Sequence, residues 1–333
     1  MRPFTYTRPS TIDGAIAALS QSGAKFLGGG TNLIDLMKMG VEQPASLIDI
    51  TRLPLSRIEE SQGGLRIGAT ARNSVVAEHP LVREKYPLLS EALLAGASPQ
   101  LRNMATIGGN LMQRTRCYYF YDPTYPQCNK RVPGSGCAAV AGYNRIHAIL
   151  GAFAPVREDL QCIATNPGDM GVALMALEAM VAVRGPLGDR SIPIADFYRL
   201  PGNAPNLDTN LRPGELIVAV DLPPLDWATG AHYLKIRDRN SYAFALVSVA
   251  VVIGLDGNGA IRQARIALGG VAHMPWRVPE AERALIGQTP GEAPFRAAAD
   301  TLLRGATTYP HNAFKVELAR RAVARALTTA ASA

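Results

Sequence analysis

The sequence predicts an α+β chain of two domains, a larger one over residues 1–225 and a smaller one over 226–333 with an antiparallel sheet followed by helices. Three observations carry that prediction. Up to about Leu222, runs with helical apolar spacing are interleaved with short runs of strand character. From Trp227 onward three strand-like runs come first and three helix-like runs follow. A chain of 333 residues, 47% of them hydrophobic, can also fill two or three cores.

The elements follow in order. Ser10 and Asp13 have the form of a capping box; Ile12, Ala15, Ile16 and Leu19 make one apolar face, and Gly23 sits where a helix ends. Lys25, Phe26 and Leu27 form a short strand running into Gly28, Gly29, Gly30, Thr31 and Asn32. Leu33 to Lys38 then starts a helix, and Leu47 to Ile50 reads as a strand. A second block has a strand at Leu65 to Ala69, a helix near Pro87 to Ala97, and a turn containing Thr106, Ile107, Gly108, Gly109 and Asn110. A helix begins near Asp169, with Asn166 as N-cap, Pro167 at the first helical position and the acid complementing the helix dipole. Gly214 to Leu222 closes the block as a strand. In the remainder, strands fall at 231–237, 245–255 and 261–268, and helices near 280–286, 294–304 and 312–327.

Composition excludes several classes. The formal charge is +7, but the cations are scattered and none interleaves with aromatics in a nucleic-acid motif, so no nucleic-acid partner is expected. The longest apolar stretches, such as Ala245 to Leu255, fall short of the roughly 18 to 20 residues a membrane helix needs, so no membrane span is expected. The first residues lack the apolar core of an export signal.

Gly28, Gly29 and Gly30 after a strand and before a helix have a phosphate-binding look, because glycines let backbone amides approach a pyrophosphate. Asp49 lies about 20 residues on, as the dinucleotide fingerprint wants. The fingerprint fails, since its third glycine falls on Leu33. Thr106 to Asn110 offers a second set of amides, so two separated cradles are expected to grip one dinucleotide from both sides. A tight turn remains the alternative for each alone.

The four cysteines, Cys117, Cys128, Cys137 and Cys162, fall within 46 residues. Chance scatter over this chain does that about one time in a hundred, so a shared role is expected. Their spacing lacks the paired Cys-x-x-Cys knuckles of structural zinc and the common ferredoxin spacing. Buried thiols, two disulfides, zinc and an iron-sulfur cluster all remain open on spacing alone. Arg114, Arg116, Lys130 and Arg131 favour thiolates. Pro126, Pro133, Gly134 and Gly136 suit an irregular loop, with Tyr118, Tyr119, Phe120, Tyr121 and Tyr125 packing it. The five histidines are dispersed and suggest no acid–base pair.

With its Gly-Gly-Thr-Asn loop at 29–32 and its Thr-Ile-Gly-Gly-Asn loop at 106–110, the sequence resembles the FAD subunits of the xanthine dehydrogenase, or molybdenum hydroxylase, family. The resemblance extends through Asn166-Pro-Gly-Asp169, the Lys235 segment, Ser241 to Ala250 and Ala267 to Ala272, with Gly168 standing where the family usually has serine. It implies a two-lobed FAD-binding domain of the xanthine dehydrogenase/vanillyl-alcohol-oxidase-like type, with lobes at 1–55 and 56–225, and a C-terminal domain of the carbon monoxide dehydrogenase medium-subunit type. FAD would lie on Lys25 to Leu33 and Thr106 to Asn110, with Asp169 and Lys235 orienting the flavin. A cysteine-bearing insertion at about 113–163 resembles that of the aldehyde oxidoreductase branch, which implies a [4Fe-4S] cluster on the four cysteines. The implied partners are a molybdenum-cofactor large subunit and a [2Fe-2S] small subunit. No catalytic residue for an organic substrate is expected in this chain. The implied location is the periplasm, by co-export with a signal-bearing partner, or otherwise the cytoplasm. The rival readings are a stand-alone FAD oxidase or dehydrogenase and a metal-stabilised assembly protein without flavin.

Overall fold

Three sheets organise the chain, as described by a computed structural model over residues 1–20, 23–152 and 158–332. The first is small and parallel. Strands β1 (Thr5–Thr7) and β2 (Ala24–Leu27) flank β3 (Ser46–Asp49), with helices α1 (Ile12–Leu19) and α2 (Leu33–Lys38) in the connections. Helix α1 is capped by Thr11, whose hydroxyl accepts from the Gly14 amide at 3.0 Å. The cap therefore lies one residue later than the expected Ser10. Helix α2 spans the expected residues.

A five-stranded antiparallel sheet follows, in the order β4-β5-β8-β6-β7. Its strands are β4 (Ile58–Ser61), β5 (Gly64–Gly68), β6 (Met180–Gly185), β7 (Gly188–Pro193) and β8 (Leu216–Leu222). Between β5 and β6 run α3 (Asn73–Glu78), α4 (Pro80–Lys85), α5 (Pro87–Ala95), α6 (Pro99–Arg102), α7 (Ile107–Leu111), α8 (Tyr118–Tyr121), α9 (Ala138–Ala141) and α10 (Asp169–Ala176), and α11 (Ile194–Phe197) lies between β7 and β8. Every residue of α10 is buried, so it is a core helix rather than an amphipathic surface one. Its N-cap is Gly168; Asn166 stands two residues earlier, where its side chain accepts from the Gly168 amide at 2.9 Å in an Asx turn. Pro167 accordingly precedes the helix.

The C-terminal sheet is antiparallel, β11-β10-β9, from β9 (Gly230–Ile236), β10 (Val247–Leu255) and β11 (Ile261–Gly269). Helices α12 (Pro279–Arg283), α13 (Glu292–Leu302) and α14 (Phe314–Ala331) follow. Strand β10 is buried on both faces. Ala250 and Val252 join the core of α5 and α10, while Val247, Val249, Val251 and Ile253 join the core under α13 and α14. One strand thus welds the two large cores together.

The segment around the cysteines contains α8, α9 and a 3-10 turn, Glu158–Leu160, where an irregular loop was expected. Its residues 153–157 lie outside those described.

Candidate functional site

The two glycine loops meet. A Cβ built on Gly29 would stand 1.8 Å from the Met104 carbonyl oxygen, and one on Gly28 would stand 2.7 Å from Thr106 Oγ1. Gly30 has φ +74°, the left-handed conformation that favours glycine. The backbone of 28–30 is thus pressed against 104–106, and bulk at either glycine is excluded by protein rather than by a ligand.

The loops differ in what they offer. Among the described residues, the amides of Gly29, Gly30, Thr31 and Asn32 donate to no protein group, which leaves a nest open at the start of α2. Four of the five amides of the second loop are consumed within the protein. Ile107 and Gly108 donate to Ala71 and Ala69, Asn110 donates to the Thr106 carbonyl, and Gly109 donates to Thr106 Oγ1. The second loop therefore has fewer free amides than its sequence suggested, because it uses them to cap α7 and hold the strand end at 69–71. Its Thr106 is buried as the helix cap, and its Asn110 side chain lies beside Gly168, with Oδ1 3.8 Å from a Cβ built there.

Lys25, Phe26 and Leu27 form β2, and Leu33 opens α2. The Lys25 ammonium is paired with Glu42. Asp49 belongs to an N-terminal clasp: burial alone would raise its pKa, but hydrogen bonds from Thr51, Tyr6 and Arg8 outweigh burial and hold it at about 2. No lone pair there is reserved for a ribose.

Asp169 and Lys235, 66 residues apart, form a buried ion pair at 2.8 Å. Tyr233 donates to the other carboxylate oxygen at 2.8 Å, and Lys235 also donates to the Ala95 carbonyl at 3.1 Å. Burial and the Asp169 charge push the Tyr233 phenol far up, so it is a fixed donor. Strand β9 is thereby locked to the N-terminus of α10, where the carboxylate also meets the helix dipole.

Seven residues beyond Asn110 the chain reaches Cys117. Cys117, Cys128 and Cys162 are buried, Cys137 is half-buried, and all four are free thiols sharing one core with Phe120, Ile163 and Leu36. Leu36 belongs to α2, so the helix behind the first glycine loop packs directly on the cysteine core. Cys128 and Cys137 face each other across an antiparallel bridge. Burial pushes the Cys117 and Cys137 thiols up, and Cys162 up to about 12; the neighbouring cysteines add to this in each case. Opposing it are backbone amides directed at sulfur, from Phe120 to Cys117, from Ile163, Ala139 and Val140 to Cys137, and from Ala164 to Cys162. Lys130 also lowers Cys162. Burial outweighs these donors, so the Cys117, Cys137 and Cys162 thiols hold their protons more tightly than a free cysteine does. Among the described residues no group of three or more His, Cys, Asp or Glu side chains is arranged to hold a metal ion.

Ion pairs fasten this segment to the rest. Arg114 bonds Glu42 at 2.7 Å and Asp208 at 2.8 Å, and its amide donates to Asn32 Oδ1 at 3.1 Å. Lys130 also reaches Asp208, and Arg116 reaches Asp35 at 2.7 Å. Burial works against the charged form of Glu42 and Asp208, yet the cations facing each hold both below the usual carboxylate range. No pairwise signal in the sequence points to these contacts, nor to His147, whose Nε2 lies 3.1 Å from Cys117 Sγ. Partners so far apart in sequence are united only by the fold.

Residues 2–225 match the family described as the FAD binding domain in molybdopterin dehydrogenase, and residues 232–330 the CO dehydrogenase flavoprotein C-terminal domain. The chain is 52% identical to the aldehyde oxidoreductase FAD-binding subunit PaoB of Escherichia coli (strain K12), over 99% of both chains. It is 29% identical to the carbon monoxide dehydrogenase medium chain of Hydrogenophaga pseudoflava, over 98% of this chain and 96% of that one. A solved carbon monoxide dehydrogenase from Hydrogenophaga pseudoflava superposes with a TM-score of 0.76 at 29% identity, covering 100% of this chain and 99% of that chain. Sequence and fold agree over the full length, and the chain belongs to the FAD-binding subunits of the molybdenum hydroxylase family of oxidoreductases.

Proposed function

We propose that this chain is the electron-carrying subunit of a molybdenum-dependent aldehyde oxidoreductase and that it holds both FAD and a [4Fe-4S] cluster. The observation that carries the reading is the convergence of three buried thiols and the half-buried Cys137 on one core against the helix that follows the open glycine loop. FAD would lie with its diphosphate on the free amides of Gly29 to Asn32, flanked by Lys25 to Gly28 and Leu33. Thr106, Ile107, Gly108, Gly109 and Asn110 would form the facing wall, and the locked Asp169–Lys235 pair would fix the flavin end. The carboxylate retains acceptor capacity beyond Tyr233 and Lys235.

Cys117, Cys128, Cys137 and Cys162 would each bind one iron of the cluster. A single tetrahedral zinc ion would draw four sulfurs to about 3.8 Å of one another. A four-iron cluster would instead hold its four thiolates at the corners of a larger cage. When bound, the two cofactors supply one- and two-electron storage. The chain's own residues bind and orient them and keep water from the thiolates.

Aldehyde and water becoming carboxylic acid release two electrons and two protons. We assign that step to a molybdenum-cofactor large subunit and the onward transfer to a [2Fe-2S] small subunit, which delivers electrons to this chain for an external acceptor. The 52% identity to an aldehyde oxidoreductase subunit supports the substrate class. The domain division is 1–225 and 226–333, with lobes at 1–55 and 56–225 and the insertion at about 113–163. Location in the periplasm, by export with a signal-bearing partner, belongs to the same reading. No helix among the described residues is long and apolar enough to cross a membrane. Purification of the native assembly is the test: a heterotrimer containing molybdenum, flavin and iron is expected, and a lone chain that oxidises an aldehyde unaided would overturn the assignment.

A further inference from the structure

His147 sits 30 residues from Cys117 in sequence, yet its Nε2 lies 3.1 Å from the Cys117 sulfur. The residue is 1% exposed, and its Nδ1 is buried without a partner. An imidazole carries at least one N–H, and here Nδ1 has no partner while Nε2 faces the sulfur. A thiolate can only accept. The proton therefore belongs on Nε2, facing the sulfur.

The ring is not free to turn away. Tyr118 and Tyr119 pack against it with centroids at 6.4 and 6.2 Å. Its carbonyl accepts from Lys315 Nζ at 2.8 Å and from Asn312 Nδ2 at 3.4 Å. Lys315 also donates to Ile146 and Gly270, and Asn312 to Ala148; both side chains are fully buried. Lys315 lies in the first turn of α14 and Asn312 just before it. The C-terminal domain thus clamps the turn that presents His147 to the cysteine core.

We propose that His147 is a positioning residue for the four-thiolate site, donating an Nε2–H hydrogen bond to Cys117 Sγ that raises the reduction potential of the cluster held there. The inference rests on the [4Fe-4S] reading. A hydrogen bond to a thiolate ligand withdraws charge from sulfur and stabilises the extra electron of the reduced cluster, which moves the potential upward.

The experiment is an EPR-monitored redox titration of the full chain, purified without oxygen, as wild type, His147→Leu and His147→Gln. Leucine is expected to lower the midpoint potential at unchanged iron content, and glutamine, which keeps an N–H donor, to return it toward wild type. A leucine variant with full iron and the wild-type potential would overturn the proposal. Because that variant could fail to fold, the wild type labelled with ¹⁵N-histidine is also examined by pulsed EPR after low-temperature radiolytic reduction. One weakly coupled histidine nitrogen is expected. No histidine coupling, or the strong coupling of a nitrogen bound directly to iron, overturns the proposal. A chain without iron removes the cluster reading itself, and with it this inference, before any potential is measured.

Discussion

Asp169 and Lys235 are paired at 8% and 3% side-chain exposure, and neither can lose its partner cheaply. Lys235→Met leaves a buried carboxylate with Tyr233 as its remaining donor, a loss of about 3–5 kcal/mol. The apparent melting temperature should fall by several degrees, and adding Asp169→Asn should recover part of it; a single variant as stable as wild type contradicts the ion pair. Gly29→Ala and Gly109→Val separate packing from binding. The first drives a Cβ into the Met104 carbonyl, so both thermal stability and flavin content should drop. The second sits at an exposed glycine against Thr106 Oγ1 at 3.0 Å, and flavin should be lost at little cost in stability. Full flavin absorbance in both variants after gel filtration would refute the loop assignment. Asp49 sets an acid limit: its folded pKa of about 2 lies below an unfolded value of about 3.9. Its contribution is complete above pH 4 and is lost as pH falls toward 2. Asp49→Asn should flatten the stability profile across that window, and an unchanged slope would assign acid lability elsewhere.

Strand β10 shows what the pattern of a segment does and does not reveal. The apolar run Ala245 to Leu255 announces a buried strand, but a continuous run carries no alternation to say which side chains serve which core. Ile253 faces the C-terminal core, away from the glycine loops. Ile253→Ala is therefore expected to cost about 2–5 kcal/mol in denaturant unfolding while flavin and iron content stay at wild-type levels. Loss of both cofactors without loss of stability would contradict that orientation. Helix α2 was legible to the residue because a glycine turn fixes its start. Helices α3 and α4 were not, since six-residue helices broken at His79–Pro80 are too short for a 3.6 period to emerge. The amides of 107–110 looked free in sequence and are spent in the fold, because backbone partners at 69–71 leave no trace in side-chain pattern.

Among the described residues the molecule has four apolar cores, one of them formed by the cysteine-bearing segment, which is tied to the first glycine loop and to the last helix. The order of the motifs along the chain made the FAD-binding family and the shared surroundings of the cysteines readable. The ties that place them were not readable: Asn32 to Arg114, Glu42 and Asp208 to their cations, and Lys315 to the His147 turn join residues up to 168 apart. That arrangement packs α2 on the cysteine core, so the proposed FAD and [4Fe-4S] cluster would sit on either side of one helix in one polypeptide. The most direct measurement is metal and flavin analysis of the full chain purified without oxygen. About four iron and one FAD per polypeptide are predicted; stoichiometric zinc with no iron, or iron with no flavin, would contradict it.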